Sequence, residues 1–267
     1  QPGDEVIILE PAYDAYVPVI ELNGGRPVFV KMTFPDYRVD WVAMKSALTP
    51  KTRMIILNSP HNPTGSIFSA NDMQALETIL NATGIMILSD EVYEHIVFDD
   101  KIHESIARYP NLATRSFIVS SFGKTYHTTG WKMGYCAAPE YLTKEFRKMH
   151  QFIVFSSNTP VQYAYADYMK YEEKYLALSN FYQKKRELFV KEIQNLPTDK
   201  QGSSFKILDC TGTYFQLLDY SKISDLPDMQ FAEYMTKEIG VAVIPLSPFY
   251  EKQESQPIIR ICFAKTD

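Results

Sequence analysis

The stretch SSFGKTYHTTGWKMGY, Ser120–Tyr135, sets a lysine directly after a Ser/Gly turn and closes on Gly-Trp-Lys-Met-Gly. Two chemistries present a lysine in this way. A phosphate-cradling loop needs G-x-x-x-x-G-K-[ST], and Gly123-Lys124-Thr125 supplies its last part. The other is imine chemistry, which needs a turn to expose the amine and hydroxyl and basic groups nearby for a phosphate. The first reading fails on spacing, because position 118, five residues before Gly123, is isoleucine inside the apolar run SFIVSS. It also fails downstream of the lysine, since TYHTTGW is β-branched and ends at Gly130 instead of continuing as a helix.

Around this stretch, short apolar runs rich in β-branched residues recur: EVIILE, RPVFVKM, RMIILNS, GIMILSD, SFIVSS and MGYCAA. They alternate with helix-like segments over 40–48 and 69–81, the second with Ser69 as N-cap and Gly84 as a stop. Short, continuously apolar strands separated by helices predict βαβ units and a mostly parallel sheet covered on both faces. Beyond Phe155 the texture changes. Tyr163 to Ile193 is dense in Tyr, Lys and Glu and predicts one or two long helices, with YMKYEEKY as a solvated face. From Ser204 onward, the strand-like runs FKILDC, TYFQLLD, VAVIPL and PIIRICFA surround one helix over 229–239, as expected of a smaller α+β unit. The chain is thus expected to divide into a large unit over 1–180 and a small one over 181–267.

The 267 residues carry a net charge of −5 and 45% hydrophobic content, which suits a sizeable core and gives no electrostatic reason to expect nucleic acid or an anionic membrane as partner. No apolar run approaches the length of a bilayer span. Cys136, Cys210 and Cys262 are odd in number and widely spaced, which predicts buried thiols in a reducing, cytoplasmic compartment and not a disulfide frame. The five histidines form no HExxH or His/Cys cluster, so no metal is expected. The opening Gln1-Pro2-Gly3-Asp4 leads straight into a strand, and the chain stops just after another, which reads as the interior of a longer protein.

Three further stretches carry chemistry. In NSPHNPTG, Asn58–Gly65, the Asn-Pro pair disfavours helix at Asn62 and marks a turn after RMIIL. In SDEVYEHI, Asp90 ends the strand GIMIL, with Tyr93 three residues on. In PIIRICFA, Arg260 sits among apolar neighbours, where an arginine suits a bidentate carboxylate clamp. Asn62, Asp90 and Lys124 all follow carboxyl ends of apolar strands, where open α/β sheets bind ligands. Taken singly, Asp90 is a helix cap and Arg260 a surface ion-pair partner; the company of Tyr93 and Lys124 is what singles Asp90 out. Asn58 and His61 read as turn scaffolding, and His127 and His150 as polar surface or interface residues.

Ser121, Gly123, Lys124, Tyr126, Gly130, Lys132 and Gly134 resemble the lysine motif S-x-G-K-x-[FY]-x-x-x-G-x-[RK]-x-G of the class I/II pyridoxal-phosphate-dependent aminotransferases of fold type I. The phrases GDEVIILEPAYDAY, NSPHNPTG and HQFIVFSSNTPVQ are similar to the branch that holds kynurenine/glutamine transaminases and bacterial methionine aminotransferases. The resemblance covers essentially the whole chain. It implies a fold type I transferase with a mostly parallel central sheet flanked by helices and a smaller α+β C-terminal domain. It implies pyridoxal 5′-phosphate held by Lys124 as an internal aldimine, Asp90 on the ring nitrogen, and Asn62 and Tyr93 on the phenolic oxygen. Tyr13 would stack on the ring face, Ser121 and Lys132 would hold the phosphate, and Asn62 and Arg260 would hold the substrate carboxylate. Many relatives carry arginine where Lys132 stands.

The reaction so implied is ping-pong transfer of an amino group from an L-amino acid to a 2-oxo acid by a homodimer with shared sites. Phe155, contributed by a partner subunit, and Tyr214 match side-chain-pocket positions. An aromatic pocket without a second cation favours methionine, glutamine, phenylalanine or kynurenine over aspartate. The family also uses an N-terminal Gly-rich phosphate loop and a tyrosine that reaches the neighbouring subunit, and this stretch of chain contains neither. Two other functions stay open at this point: β-elimination from cysteine conjugates on the same cofactor, and an effector-sensing half of a transcription regulator.

Overall fold

Ile7, Ile55 and Ile87, taken from three of the apolar runs, have no solvent exposure and lie side by side at the centre of the molecule. They belong to strands β1 (Glu5–Glu10), β4 (Thr52–Asn58) and β5 (Met86–Asp90) of a seven-stranded sheet. The other members are β2 (Arg26–Thr33), β3 (Arg38–Val39), β6 (Ser116–Ser121) and β7 (Gly134–Ala137). The order is β3-β2-β1-β4-β5-β6-β7; the five central strands run parallel, and β3 and β7 are antiparallel edges. Runs such as ILE and IILN bury successive residues because helices cover both sheet faces. The computed structural model describes residues 1–197, 202 and 204–266.

Between these strands lie α1 (Tyr16–Leu22), α2 (Trp41–Ser46), α3 (Ala70–Leu80), the single-turn helices α4 (Pro110–Ala113) and α5 (Phe122–Thr125), and then α6 (Glu140–Ile153) after the last strand. The start of α3 is the expected one. Ser69 accepts the Asp72 N–H while the Asp72 carboxylate accepts the Ser69 N–H, a reciprocal cap of about 1 kcal/mol. Met73, Leu76 and Leu80 then fall on one face and enter the core. The helix stops at Asn81, ahead of Gly84, because Ala82 turns to a positive φ of 57°.

The one or two long helices expected over 163–193 are three pieces: α7 (Thr159–Tyr168), α8 (Glu173–Leu176) and α9 (Leu178–Gln194). YMKYEEKY straddles the break after α7 and is not one helical face. The remaining elements form a four-stranded antiparallel sheet, β10-β11-β9-β8, from β8 (Lys206–Ile207), β9 (Phe215–Asp219), β10 (Ile244–Pro245) and β11 (Ile258–Cys262). Helix α10 (Asp228–Tyr234) packs on it, with Tyr220 stacked on Phe231 at 3.8 Å. The expected helix over 229–239 changes to a π turn at Met235–Ile239 and ends on Gly240, whose φ of 81° suits glycine.

The two sheets share a core: Leu217 and Ile258 of the smaller one, with Leu246 just beyond β10, join the cluster around Ile55. Of the three cysteines, Cys210 alone is fully buried, and all are free. The range expected for the small unit includes residues 198–201, 203 and 267, which lie outside the described residues. Among the described residues no helix is long and apolar enough to cross a membrane, and no group of three or more His, Cys, Asp or Glu could hold a metal.

Candidate active site

Register brings the first two polar groups together. β4 and β5 pair in parallel with Asn58 directly opposite Asp90, so both strands deliver a polar residue at the same carboxyl end. The Asn58 side-chain amide N–H donates to the Asp90 carbonyl at 3.0 Å, and its oxygen accepts the Asn62 N–H at 2.8 Å. Asn58 is therefore the brace between the two loops, as scaffolding should be. The turn beyond it is locked by the His61 Nδ1–Thr64 Oγ1 contact at 2.8 Å. Burial alone drives the His61 pKa down to about 3, so the ring is neutral.

Gly65, at a φ of +74°, brings this turn against the residues that lead into β9. Its carbonyl accepts from the Thr211 and Gly212 N–H groups, both at 2.9 Å. A side chain at position 65 would meet the Cys210 sulfur at 2.9 Å. Backbone approach this close needs glycine.

Asp90 receives two hydrogen bonds. The Tyr16 phenol donates to Oδ2 at 2.6 Å, and the Val92 N–H donates to Oδ1 at 3.2 Å. Burial pushes the carboxyl pKa up, the two donors pull against that, and the adjacent Glu91 carboxylate pushes it further up. Glu91 itself points away, into a buried cluster where it accepts from Ser89, His103 and the Ile106 N–H.

Lys124 sits in α5, directly beyond β6. Ser121 caps that turn by accepting the Gly123 N–H at 3.1 Å. Gly123 and Gly134 of the lysine motif are sterically required. A Cβ at 123 would meet Thr129 Cα at 2.8 Å, and one at 134 the Ser120 carbonyl oxygen at 2.5 Å. The Lys124 amine lies 5.8 Å from the centre of the Tyr214 ring, which packs edge-on to Tyr93 at 5.3 Å. Burial and the neighbouring Tyr214 hold the Tyr93 phenol well above its ordinary pKa, so it stays a donor.

Arg260, in β11, reaches the same cleft from the smaller sheet. Its guanidinium donates to the Asn62 side-chain oxygen and lies over Phe215 at 4.0 Å and Phe249 at 5.1 Å. Burial lowers its pKa.

These groups line one cleft of about 590 Å³. Of the residues singled out from the sequence, Tyr13, Asn62, Asp90, Tyr93, Ser121, Lys124 and Arg260 border it. Tyr13 stands at the mouth, 42% exposed and edge-on to Tyr16 at 5.6 Å. Lys132 is exposed on a left-handed turn and does not border the cleft. Phe155 is 88% exposed, outside it, at a φ of 64°.

Three residues were missed. Tyr16 was hidden because EPAYDAY holds two tyrosines and nothing in the run distinguishes them. Phe215 and Phe249 carry no mark in the sequence that sets them apart from the chain's other aromatics.

Chemically, the cleft combines a primary amine, a carboxylate with acceptor capacity left after two donors, a buried phenol and a guanidinium. That donor set fits pyridoxal phosphate: an amine for its aldehyde, an anion for its ring nitrogen, an amide and a phenol for its phenolic oxygen, and the Ser121 hydroxyl for its phosphate.

Known proteins share both the sequence and the fold. The family model for aminotransferase class I and II matches residues 1–267. The methionine aminotransferase of Escherichia coli is 46% identical over 266 residues, which cover 99% of this chain and 67% of that protein. Kynurenine–oxoglutarate transaminase 1 of Mus musculus is 32% identical over 98% of this chain and 68% of its own length. An Escherichia coli structure reported to have a methionine aminotransferase function superposes with a TM-score of 0.95, at 46% identity, over all of this chain and 69% of that one. The N-succinyldiaminopimelate aminotransferase of Mycobacterium tuberculosis superposes with a TM-score of 0.92, at 33% identity, over all of this chain and 69% of that one. With its mostly parallel sheet, its smaller antiparallel sheet and this polar cleft, the chain belongs to the class I and II aminotransferases.

Proposed function

We propose that this protein moves the amino group of an aromatic, sulfur-containing or glutamine-like L-amino acid to a 2-oxo acid in two successive half-reactions, with pyridoxal 5′-phosphate in the cleft. The observation that carries the reading is the convergence on one cleft of Asp90 from the end of β5, Lys124 from just beyond β6 and Arg260 from within β11. When bound, pyridoxal phosphate supplies an aldehyde that captures amines covalently and a cationic ring that withdraws electrons from the substrate Cα.

The chain's own residues do the rest. Asp90, as the anion, would hold the ring nitrogen protonated. Asn62 and Tyr93 would hold the phenolic oxygen. Ser121 would hold the phosphate, Lys132 would add its charge from the turn beyond α5, and Tyr13 would stack on the ring. Arg260, held between Phe215 and Phe249, grips the substrate α-carboxylate with two parallel N–H donors. Lys124 would be the amine that carries the cofactor at rest and, once displaced by the substrate amine, would act as general base and acid, taking the proton from the substrate Cα and delivering it to the cofactor's C4′.

Selectivity for an uncharged side chain rests on the cations: among the described residues only Lys124 and Arg260 border the cleft, and both have other duties. Comparable kcat/KM for aspartate and methionine would overturn this substrate class. The exposed Phe155 supports a homodimer in which it reaches the partner's cleft. We also propose that the chain divides near residue 180, within α9, and that three free thiols suit a cytoplasmic setting.

The deciding experiment is optical. The purified protein with pyridoxal phosphate should show a visible band that methionine removes and a 2-oxo acid restores. Borohydride should fix the label on Lys124. Lys124→Ala should lower kcat roughly a thousandfold. An unlabelled Lys124, or full turnover in Lys124→Ala, would refute the assignment.

A further inference from the structure

Nothing in the sequence singles out Tyr16, yet it makes the shortest contact to the cleft's carboxylate. We propose that Tyr16 is a positioning residue for the reaction: its phenol O–H fixes the Asp90 carboxylate in one orientation and maintains it as the anion that a protonated ring nitrogen needs. The proposal deepens the aminotransferase assignment and rests on it.

Four observations carry it. First, Asp90 has no ion-pair partner among the described residues; its polar contacts there are the Tyr16 O–H at 2.6 Å and the Val92 N–H at 3.2 Å. A buried anion without a counter-charge depends on such donors. Second, the two donors act on different oxygens, so rotation of the carboxylate about its Cβ–Cγ bond would break both. Val92 alone would leave Oδ2 free to swing. Third, Tyr16 is itself fixed. It opens α1, packs against the buried cluster of Ile8, Ala12, Ile20 and Ile56, and meets the Tyr13 ring edge-on at 5.6 Å. Fourth, burial and the Asp90 charge push the Tyr16 pKa well up, so the phenol keeps its proton and remains a donor throughout the working pH range.

The ionisable groups that act on Asp90 are Tyr16 from α1, Tyr93 from the loop after β5, and the adjacent Glu91, whose side chain points away; Tyr13 borders the cleft beside Tyr16. Lys124 from α5 and Arg260 from β11 border the same cleft. Glu91 opposes the anionic form of Asp90. Tyr16 is the side chain that donates to it. The ring of Tyr16 needs only shape; the hydroxyl is the functional part.

Tyr16→Phe and Tyr16→His in the purified protein loaded with pyridoxal phosphate test the proposal. Removing the O–H should weaken pyridoxal phosphate binding roughly tenfold, the effect of one hydrogen bond to a charged group. It should also lower kcat for methionine with little change in KM, and move the acid limb of the kcat profile to higher pH. Tyr16→His, which restores an N–H donor, should recover part of both losses. A cofactor-free measurement accompanies these: the Asp90 carboxyl titration, followed by carbon NMR in the apoprotein, should shift upward in Tyr16→Phe.

An unchanged Asp90 midpoint with unchanged pyridoxal phosphate affinity in a folded Tyr16→Phe protein would overturn the proposal. So would a Tyr16→His protein that is folded but no better than Tyr16→Phe. If the wild-type protein itself takes up no pyridoxal phosphate, the aminotransferase assignment falls and the proposal with it. That failure is recognised because wild type and variants alike then take up no pyridoxal phosphate, whatever the Asp90 titration shows.

Discussion

The turn Asn58–Gly65 and the segment from Phe146 to Tyr171 are both loop-and-helix margins of the same sheet, yet they treat their side chains in opposite ways. In the turn every residue is buried, and the polar ones are bound: Asn58 to Asp90 and Asn62, His61 to Thr64, Gly65 to Thr211 and Gly212. In the second segment Met149, Phe152, Ile153, Phe155 and Tyr163 are exposed. Exposed large apolar side chains gathered in one segment mark surface meant for contact. The first region devotes its sequence to rigidity at the cleft. The second leaves apolar area that this chain does not cover, which is where the proposed second subunit would sit.

Four measurements test that contrast. The largest effect concerns the rigid turn under acid. His61 is neutral when folded, with a pKa near 3, whereas the unfolded chain binds a proton at the ordinary value of 6.5. The unfolded state therefore holds more protons between those limits. Its stabilising contribution is full above about pH 6.5 and is lost progressively as pH falls toward 3. Urea unfolding should show roughly 3 kcal/mol lost by about pH 4. His61→Gln should flatten that slope, and an equally steep slope in the variant would show that other groups cause it.

Next in size is the clamp. Arg260→Lys keeps the charge and loses the planar fork, so kcat/KM for methionine should fall roughly thirtyfold, chiefly through KM. Gly65→Ala comes third. A left-handed φ and a collision with Cys210 should cost about 2 kcal/mol, read as a lowered midpoint of thermal unfolding. The smallest is Phe152→Ser in the exposed strip. The chain's own unfolding free energy should change by less than about 0.5 kcal/mol, while sedimentation should show weakened self-association. A large loss of stability with no change in assembly would erase the distinction between the two regions.

The architecture was legible because its signals are local and strong. Five continuous apolar runs could only be strands covered on both faces, and their ends carried Asn62, Asp90 and Lys124 into one place. Ser69 announced the start of α3. The smaller unit was read less well. VAVIPL keeps only Ile244–Pro245 as strand, because Pro245 has no N–H to give to a ladder, and FKILDC keeps only Lys206–Ile207. The tyrosine-rich stretch over 163–193 has no glycine or proline to mark its breaks at Met169 and Ala177. Tyr16 escaped because its importance lies in a partner 74 residues away, and pairings at that distance leave no periodic trace in one sequence.

The guanidinium of Arg260 has five N–H groups, and among the described residues it gives one hydrogen bond, to the Asn62 oxygen. In the carboxylate-binding role proposed for Arg260, receiving an amino acid would ask for no vacating partner and no swing of the arginine. The Phe215 and Phe249 rings already fix its plane, and donors remain to be shared out. Recognition at this corner becomes a matter of shedding water, so its speed should follow how quickly the ligand dehydrates and not how quickly the protein rearranges.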